Sequence, residues 1–158
     1  MKVGVLSDTH GIIHPKVFHL FHGTDLILHA GDVGSEDILT ELETLAPLRA
    51  VAGNTDTHPV RGRCNDIEIF EIEDQTVYLT HRVIEGGRYL PSEMERIRVE
   101  KPDIVIFGHT HLTHAEEREG IFFFNPGPAG HRREGTRLAV GILEIEGRNI
   151  THNFHYLE

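Results

Sequence analysis

The sequence predicts a layered α/β domain in which parallel and antiparallel strands are mixed. Three observations lead there. Short apolar runs alternate with helical patterns over the first third of the chain. Paired, alternating runs follow, as hairpins would. Several of the apolar runs stop at a polar residue of a metal-ligating type.

The alternation begins with KVGVLSD (2–8), an apolar and β-branched run that reads as a buried strand. PKVFHLFHG (15–23) reads as a short helix, with Pro15 in its first turn and Gly23 past its end. DLILHAGD (25–32) is a second strand. SEDILTELETLA (35–46) carries a serine start and helical spacing at Ile38, Leu39, Leu42 and Leu45. LRAVAGN (48–54) is a third strand. This β-α-β-α-β order with short connections predicts parallel strands joined by right-handed crossovers. The pattern then changes. DIEIFEIEDQTVYLTH (66–81) alternates, breaks at Glu73-Asp74-Gln75 and alternates again, which predicts a hairpin. PSEMERIRVEKP (91–102) is a helix opened by Pro91 and closed before Pro102. DIVIFGH (103–109) is another buried strand. GIFFFNPG (120–127) and RLAVGILEIEGRNITHNFHYL (137–157) supply further strands, the last pair turning at Glu146-Gly147-Arg148. No linker, repeat or low-complexity segment interrupts, so residues 1–158 are expected to form one domain.

Composition narrows the function classes. No apolar run approaches a membrane span, and MKVGVLSDTHG does not read as a signal peptide. The single Cys64 excludes an internal disulfide and fits a reducing compartment, so a cytoplasmic location is expected. A formal charge of −10 argues against non-specific nucleic-acid binding, which draws on Lys and Arg. It leaves room for a small phosphate ester whose charge is met by metal ions. Histidine is over-represented, at 13 residues.

Position gives those histidines meaning. Asp8 and His10 follow the first apolar run, Asp32 the second and Asn54 the third. His81 closes the second arm of the hairpin, and His109 and His111 follow the run from residue 103. In open α/β sheets the carboxyl edge of the strands is where ligands bind. Two Asp, one Asn and four His form a mixed oxygen and nitrogen donor set without thiolate. It suits Mn²⁺, with Fe, Ni²⁺, Zn²⁺ or Co²⁺ also accommodated. Side chains at i and i+2 of an extended segment share a side, so Asp8 with His10 and His109 with His111 are expected to face one site. Seven donors exceed one tetrahedral site and suit two ions that share a carboxylate, an arrangement used for phosphoryl transfer.

DTH (8–10), GDVG (31–34), GNTD (53–56), LTH (79–81) and GHTH (108–111), with the trailing NPG (125–127), resemble the motifs of the calcineurin-like metallophosphoesterases, in that family's order. The resemblance is greatest to the small single-domain branch of YfcE-like phosphodiesterases. It implies a four-layer αββα sandwich, two mixed sheets flanked by helices. It also implies that Asp8, His10 and His111 hold one ion, that Asn54, His81 and His109 hold the other, and that Asp32 bridges both. The implied reaction is in-line attack of a metal-bridging hydroxide on a small phosphate diester, with Asp32, Asn54 and His81 counted among the catalytic residues.

Two departures from the family pattern stand out. Thr55 occupies the position where many members carry a histidine that protonates the leaving group. Asp56 beside it is expected to orient the loop. Arg82-Val83 replaces a frequent Gly-His, and Arg82 is the candidate replacement clamp on the phosphate. Three groups read as bland: His29 as a strand residue packed on a neighbour, His114 as a turn residue, and the RGR (61–63) and HRR (131–133) runs as solvated loop charges. His131, His152 and His155 likewise read as solvated or strand-face residues, and His131, after NPGPAG, is the only one of them for which the mouth of the site is an alternative. A competing reading is a non-catalytic protein-binding scaffold, similar to a retromer subunit of the same fold with a degraded metal site. Completeness of the donor set favours the enzyme. A homodimer or higher homo-oligomer is compatible with the sequence.

Overall fold

A computed structural model describes all 158 residues, Met1 to Glu158. The chain runs β1 (Lys2–Leu6), α1 (Pro15–Leu20), β2 (Leu26–His29), α2 (Glu36–Glu43), β3 (Leu48–Ala50) and a single turn, α3 (Val60–Arg63). A hairpin of β4 (Ile67–Ile72) and β5 (Gln75–Thr80) follows, then a two-stranded ribbon of β6 (Ile84–Glu85) and β7 (Arg88–Tyr89). The remainder is α4 (Pro91–Glu100), β8 (Ile104–Ile106), β9 (Thr113–Arg118), β10 (Ile121–Pro126), β11 (Ala139–Glu146) and β12 (Asn149–Tyr156).

Two five-stranded sheets carry the fold, in the orders β12-β11-β1-β2-β3 and β4-β5-β8-β10-β9. Both are mixed. β1, β2 and β3 are parallel, as are β5, β8 and β10, while β11, β12, β4 and β9 join antiparallel. The central strands are apolar on both faces because both faces are covered. Val5, Leu28, Val77 and Ile104 point into the core between the sheets. Their neighbours Leu6 and Ile27 pack beneath α1 and α2 with Val17, Leu39 and Leu42. On the far side, Tyr78 and Val105 pack beneath α4 with Met94 and Ile97. The result is the four-layer αββα sandwich. Full burial of each such aliphatic side chain contributes about 2 kcal/mol.

Local chemistry sets the helix ends. Ser35 Oγ accepts from the Asp37 amide at 3.2 Å, and Glu36 and Asp37 complement the dipole of α2. α4 stops at Lys101, which turns left-handed ahead of Pro102.

Five elements differ from the sequence reading. β8 ends at Ile106, so Phe107 to His109 lie outside the strand. α3 and the β6–β7 ribbon are too short to leave a periodic trace. β9 is an unexpected strand: it is an exposed sheet edge, and its THAEER sequence is charged where an apolar alternation would have marked it. No helix is long and apolar enough to cross a membrane.

Candidate metal centre

The loops that leave β1, β2 and β3 in one sheet meet those that leave β5 and β8 in the other. Their backbones are unusual. Asp8, His10, Asp32, His109 and His111 all have positive φ, between 47° and 74°. For L residues this conformation costs roughly 1–2 kcal/mol each, so strain is concentrated where the donors lie. This corrects the expected geometry. Asp8 with His10 and His109 with His111 converge through left-handed turns, not through the alternation of an extended chain.

The donors fall into a connected cluster. Asp8 Oδ1 lies 3.2 Å from His111 Nε2 and 3.8 Å from His10 Nε2. Asp32 Oδ2 lies 3.7 Å from His10 Nε2 and 3.3 Å from His81 Nε2. Donor atoms of Asp8, His10 and His111 sit within 4.8 Å of one another, as do those of Asp8, Asp32 and His81. His109 Nδ1 faces Asn54 Oδ1 at 3.1 Å.

The outward-facing atoms are already engaged. Asp8 Oδ2 accepts from Ser7 Oγ at 2.7 Å and from the His109 amide at 3.1 Å. Asp32 Oδ1 accepts from the Thr55 amide at 2.9 Å. His81 Nδ1 donates to the Ala30 carbonyl at 2.7 Å, which fixes its tautomer and turns the Nε2 lone pair toward Asp32. His109 Nε2 donates to Glu85 Oε1 at 3.0 Å, which leaves a lone pair on Nδ1 facing the Asn54 oxygen. Acceptor facing acceptor is an arrangement that a cation relieves.

The same atoms test whether ions fit. Asp8 Oδ1, His10 Nε2, His81 Nε2 and His111 Nδ1 are buried without a hydrogen-bond partner. A buried unpaired polar atom costs about 1–3 kcal/mol, and Asp8 Oδ1, His10 Nε2 and His81 Nε2 are three such atoms gathered in one cluster, a donor set that suits cations. The residues fit divalent ions.

Titration behaviour agrees. Burial opposes ionisation of Asp8, yet the imidazoles of His10 and His111 hold it well below the usual carboxylate range. Burial likewise works against Asp32, whose pKa His81 nevertheless brings down to about 2. Asp8 raises His10. Burial pulls His81 down, but Asp32 and Asp8 outweigh it and its pKa is raised. Protons thus occupy ground that a divalent ion would take, and metal uptake should release them.

Supporting groups brace the donor loops, and Asp56 holds its loop as the sequence suggested. Asp56 accepts from the amides of Val33 (3.1 Å), Gly34 (2.9 Å) and Gly53 (2.8 Å), tying the GDVG loop to the GNTD loop. Arg61, expected as a solvated charge, instead clamps that loop. It donates to the carbonyls of Asp56 and Gly53, both at 2.7 Å. Asn125 of the NPG segment donates to the Gly108 carbonyl at 3.1 Å and to Thr110 Oγ1 at 3.0 Å, bracing the GHTH loop. Arg82 is held by Glu85 in an ion pair and lines a cavity with Asn54 and His81. Another cavity, which no hydrophobic residue lines, is bounded by His10, Asp32, Asn54, Thr55, His109 and His111, and its remaining side chains are His131 and Arg133.

Two glycines allow these loops to close. A Cβ on Gly53 would collide with Asp32 Oδ1, and one on Gly108 would collide with Ser7 Oγ and come within 2.8 Å of Asp8 Oδ2. Gly108→Ala should therefore cost about 2 kcal/mol by overpacking and weaken metal binding. Thermal unfolding and metal titration check this. Unchanged values for both would show that Ser7 and Asp8 yield freely.

The sequence matches the calcineurin-like phosphoesterase superfamily domain over residues 1–148. A probable metallophosphoesterase of Methanothermobacter thermautotrophicus is 41% identical, with 95% of this chain and 89% of that protein covered. The phosphodiesterase YfcE of Escherichia coli is 30% identical over 91% of this chain and 88% of its own length. Among solved structures, wild-type Vps29 of Entamoeba histolytica complexed with zinc superposes with a TM-score of 0.79 at 25% identity, covering 100% of both chains. The chain belongs to the calcineurin-like phosphoesterase superfamily, in its small YfcE-like branch, and is a metal-dependent phosphoesterase.

Proposed function

We propose that the protein is a two-ion phosphodiesterase acting on small phosphate diesters. The supporting observation is the placement of one carboxylate between two imidazoles of different loops. Asp32 Oδ2 faces His10 at 3.7 Å and His81 at 3.3 Å. Asp8, His10 and His111 would hold one ion, Asn54, His81 and His109 the other, and Asp32 both. Bound there, two divalent ions, with Mn²⁺ favoured, supply Lewis acidity toward the phosphoryl oxygens and acidify water.

The chain's own groups position the substrate. Ala30 and Glu85 fix the ring orientations of His81 and His109. Arg133 lines the donor cavity and is placed to pair with a phosphoryl oxygen. Arg82 reaches the same charge only by leaving Glu85. Thr55, whose hydroxyl is far too weak an acid to donate, lines the cavity where a proton donor for the leaving group would be useful. The scaffold reading shares the fold with Vps29, whose matched structure is itself a zinc complex, so hydrolysis and not metal binding separates the two readings.

Metal-stripped protein should be inactive toward a bis-aryl phosphodiester, and Mn²⁺ should restore turnover as binding reaches two ions per chain. Rates should rise steeply with leaving-group acidity. Saturation at one ion would remove the two-ion reading. A flat leaving-group dependence would point to a proton donor such as His131.

A further inference from the structure

We propose that the cavity between the β6–β7 ribbon and β9 binds a neutral aromatic or heteroaromatic group carried by the diester. This rests on the phosphodiesterase reading and adds the substrate class to it. The cavity measures about 720 Å³, within the range of small-molecule sites. It adjoins the donor cavity, because His109 and Arg133 line both. A phosphate among the metal donors therefore directs a substituent past His109 into this space.

The two cavities differ in chemistry. No hydrophobic residue lines the donor cavity, whose acidic, imidazole and guanidinium groups suit the phosphate. Its neighbour has an aromatic wall. Tyr89 and His114 lie edge-on with ring centroids 6.1 Å apart, and the fully buried Phe107 backs His114 at 5.8 Å. Ile84 and the exposed Leu112 extend the apolar surface. Such a wall suits a flat ring, which gains from offset or edge contacts.

That wall is held in place before any ligand arrives. The Tyr89 hydroxyl donates to Glu116 Oε1 at 2.9 Å and faces His114 Nε2 at 3.0 Å. The Arg118 guanidinium lies 4.4 Å over the Tyr89 ring. At the lip, Gly86 and Gly87 leave open space, since a Cβ at either would meet nothing within 4 Å. The carboxylates of Glu85 and Glu116 also line the space, which disfavours a second anionic group and accepts donors such as ring amino groups.

Two unreactive phosphonates test this on the Mn²⁺-loaded protein by calorimetry. Benzylphosphonate should bind at least about tenfold more tightly than methylphosphonate. Glu116→Trp, which puts bulk into the cavity from an exposed edge strand, should abolish that difference and leave methylphosphonate affinity unchanged. Arg118→Trp, on the same face of β9, provides a second block should the first variant fold poorly. Equal affinities in the wild type, no binding of benzylphosphonate, or equal weakening of both ligands would overturn the assignment. Because both probes report binding alone, failure to hydrolyse any diester would count against the phosphodiesterase reading and not against this cavity.

Discussion

Asp32→Ala should lower metal-dependent phosphodiester hydrolysis by about a thousandfold and remove at least one bound ion per chain. The Asp32 carboxylate lies within 3.7 Å of an imidazole from each half of the cluster. Its Oδ2 looks at His10 and at His81, while Oδ1 is committed to the Thr55 amide. On the two-ion reading, losing the carboxylate removes a shared ligand, and it also frees the loop that follows Asn54. Part of the effect would be structural. With its pKa held at about 2 against an ordinary 3.8, ionised Asp32 contributes about 2 kcal/mol to the metal-free fold at neutral pH. That contribution is present above the ordinary value and is lost as pH falls through about 2. Asp32→Asn separates the two effects. Asn keeps an acceptor for Thr55 and tolerates the left-handed backbone at φ 53°, but lacks the charge. It should keep the loop geometry, lose about the 2 kcal/mol that the charge contributes at neutral pH, and still lose most activity. Metal analysis beside the diester assay decides. If Asp32→Ala keeps two ions and more than a tenth of the activity, Asp32 does not link them.

Which parts were legible in the sequence follows from range. Central strands such as β1, β2 and β8 are buried on both faces, so their apolar runs are dense and easily read. The donors stand directly after those runs, and their order along the chain marked them. Their geometry was not legible, because an extended i, i+2 pair and two left-handed residues share the same letters. Arg61 and Glu85 act through contacts that close only in three dimensions. Glu85 meets His109 across 24 residues with no periodicity to mark the pair. Arg61 bonds backbone carbonyls, and a carbonyl has no sequence signature. β9 was hidden by its own polarity, which an edge strand needs and a core strand would not show.

His29 carries the second large effect, and it acts through pH. It stands in the apolar stretch LILH with a fully buried side chain. Nδ1 accepts from the Gly31 amide at 3.1 Å, so the neutral ring carries its proton on Nε2 and donates it to Thr9 Oγ1 at 3.0 Å. Thr9 in turn donates to the Val33 carbonyl at 2.7 Å. This chain joins the loop bearing Asp8 and His10 to the loop bearing Asp32. A second proton would have to enter at Nδ1 and expel the Gly31 amide. Burial accordingly pushes the pKa of His29 down to about 4 from an ordinary 6.5. The unfolded chain takes up this proton first as pH falls. The associated stability is therefore complete above about 6.5 and drains away down to about 4, a loss of about 3 kcal/mol. His10 and His81 act in the opposite sense, since their raised values stabilise the acid side and fade as pH rises. His29→Gln isolates the first contribution, because the amide can accept from Gly31 and donate to Thr9 without titrating. Urea unfolding of metal-free protein should show wild type losing about 2–3 kcal/mol more than His29→Gln between pH 7 and pH 4.5. Parallel losses in the two proteins would mean that His29 is protonated in the fold, and that the Gly31–His29–Thr9–Val33 link does not hold the two donor loops together.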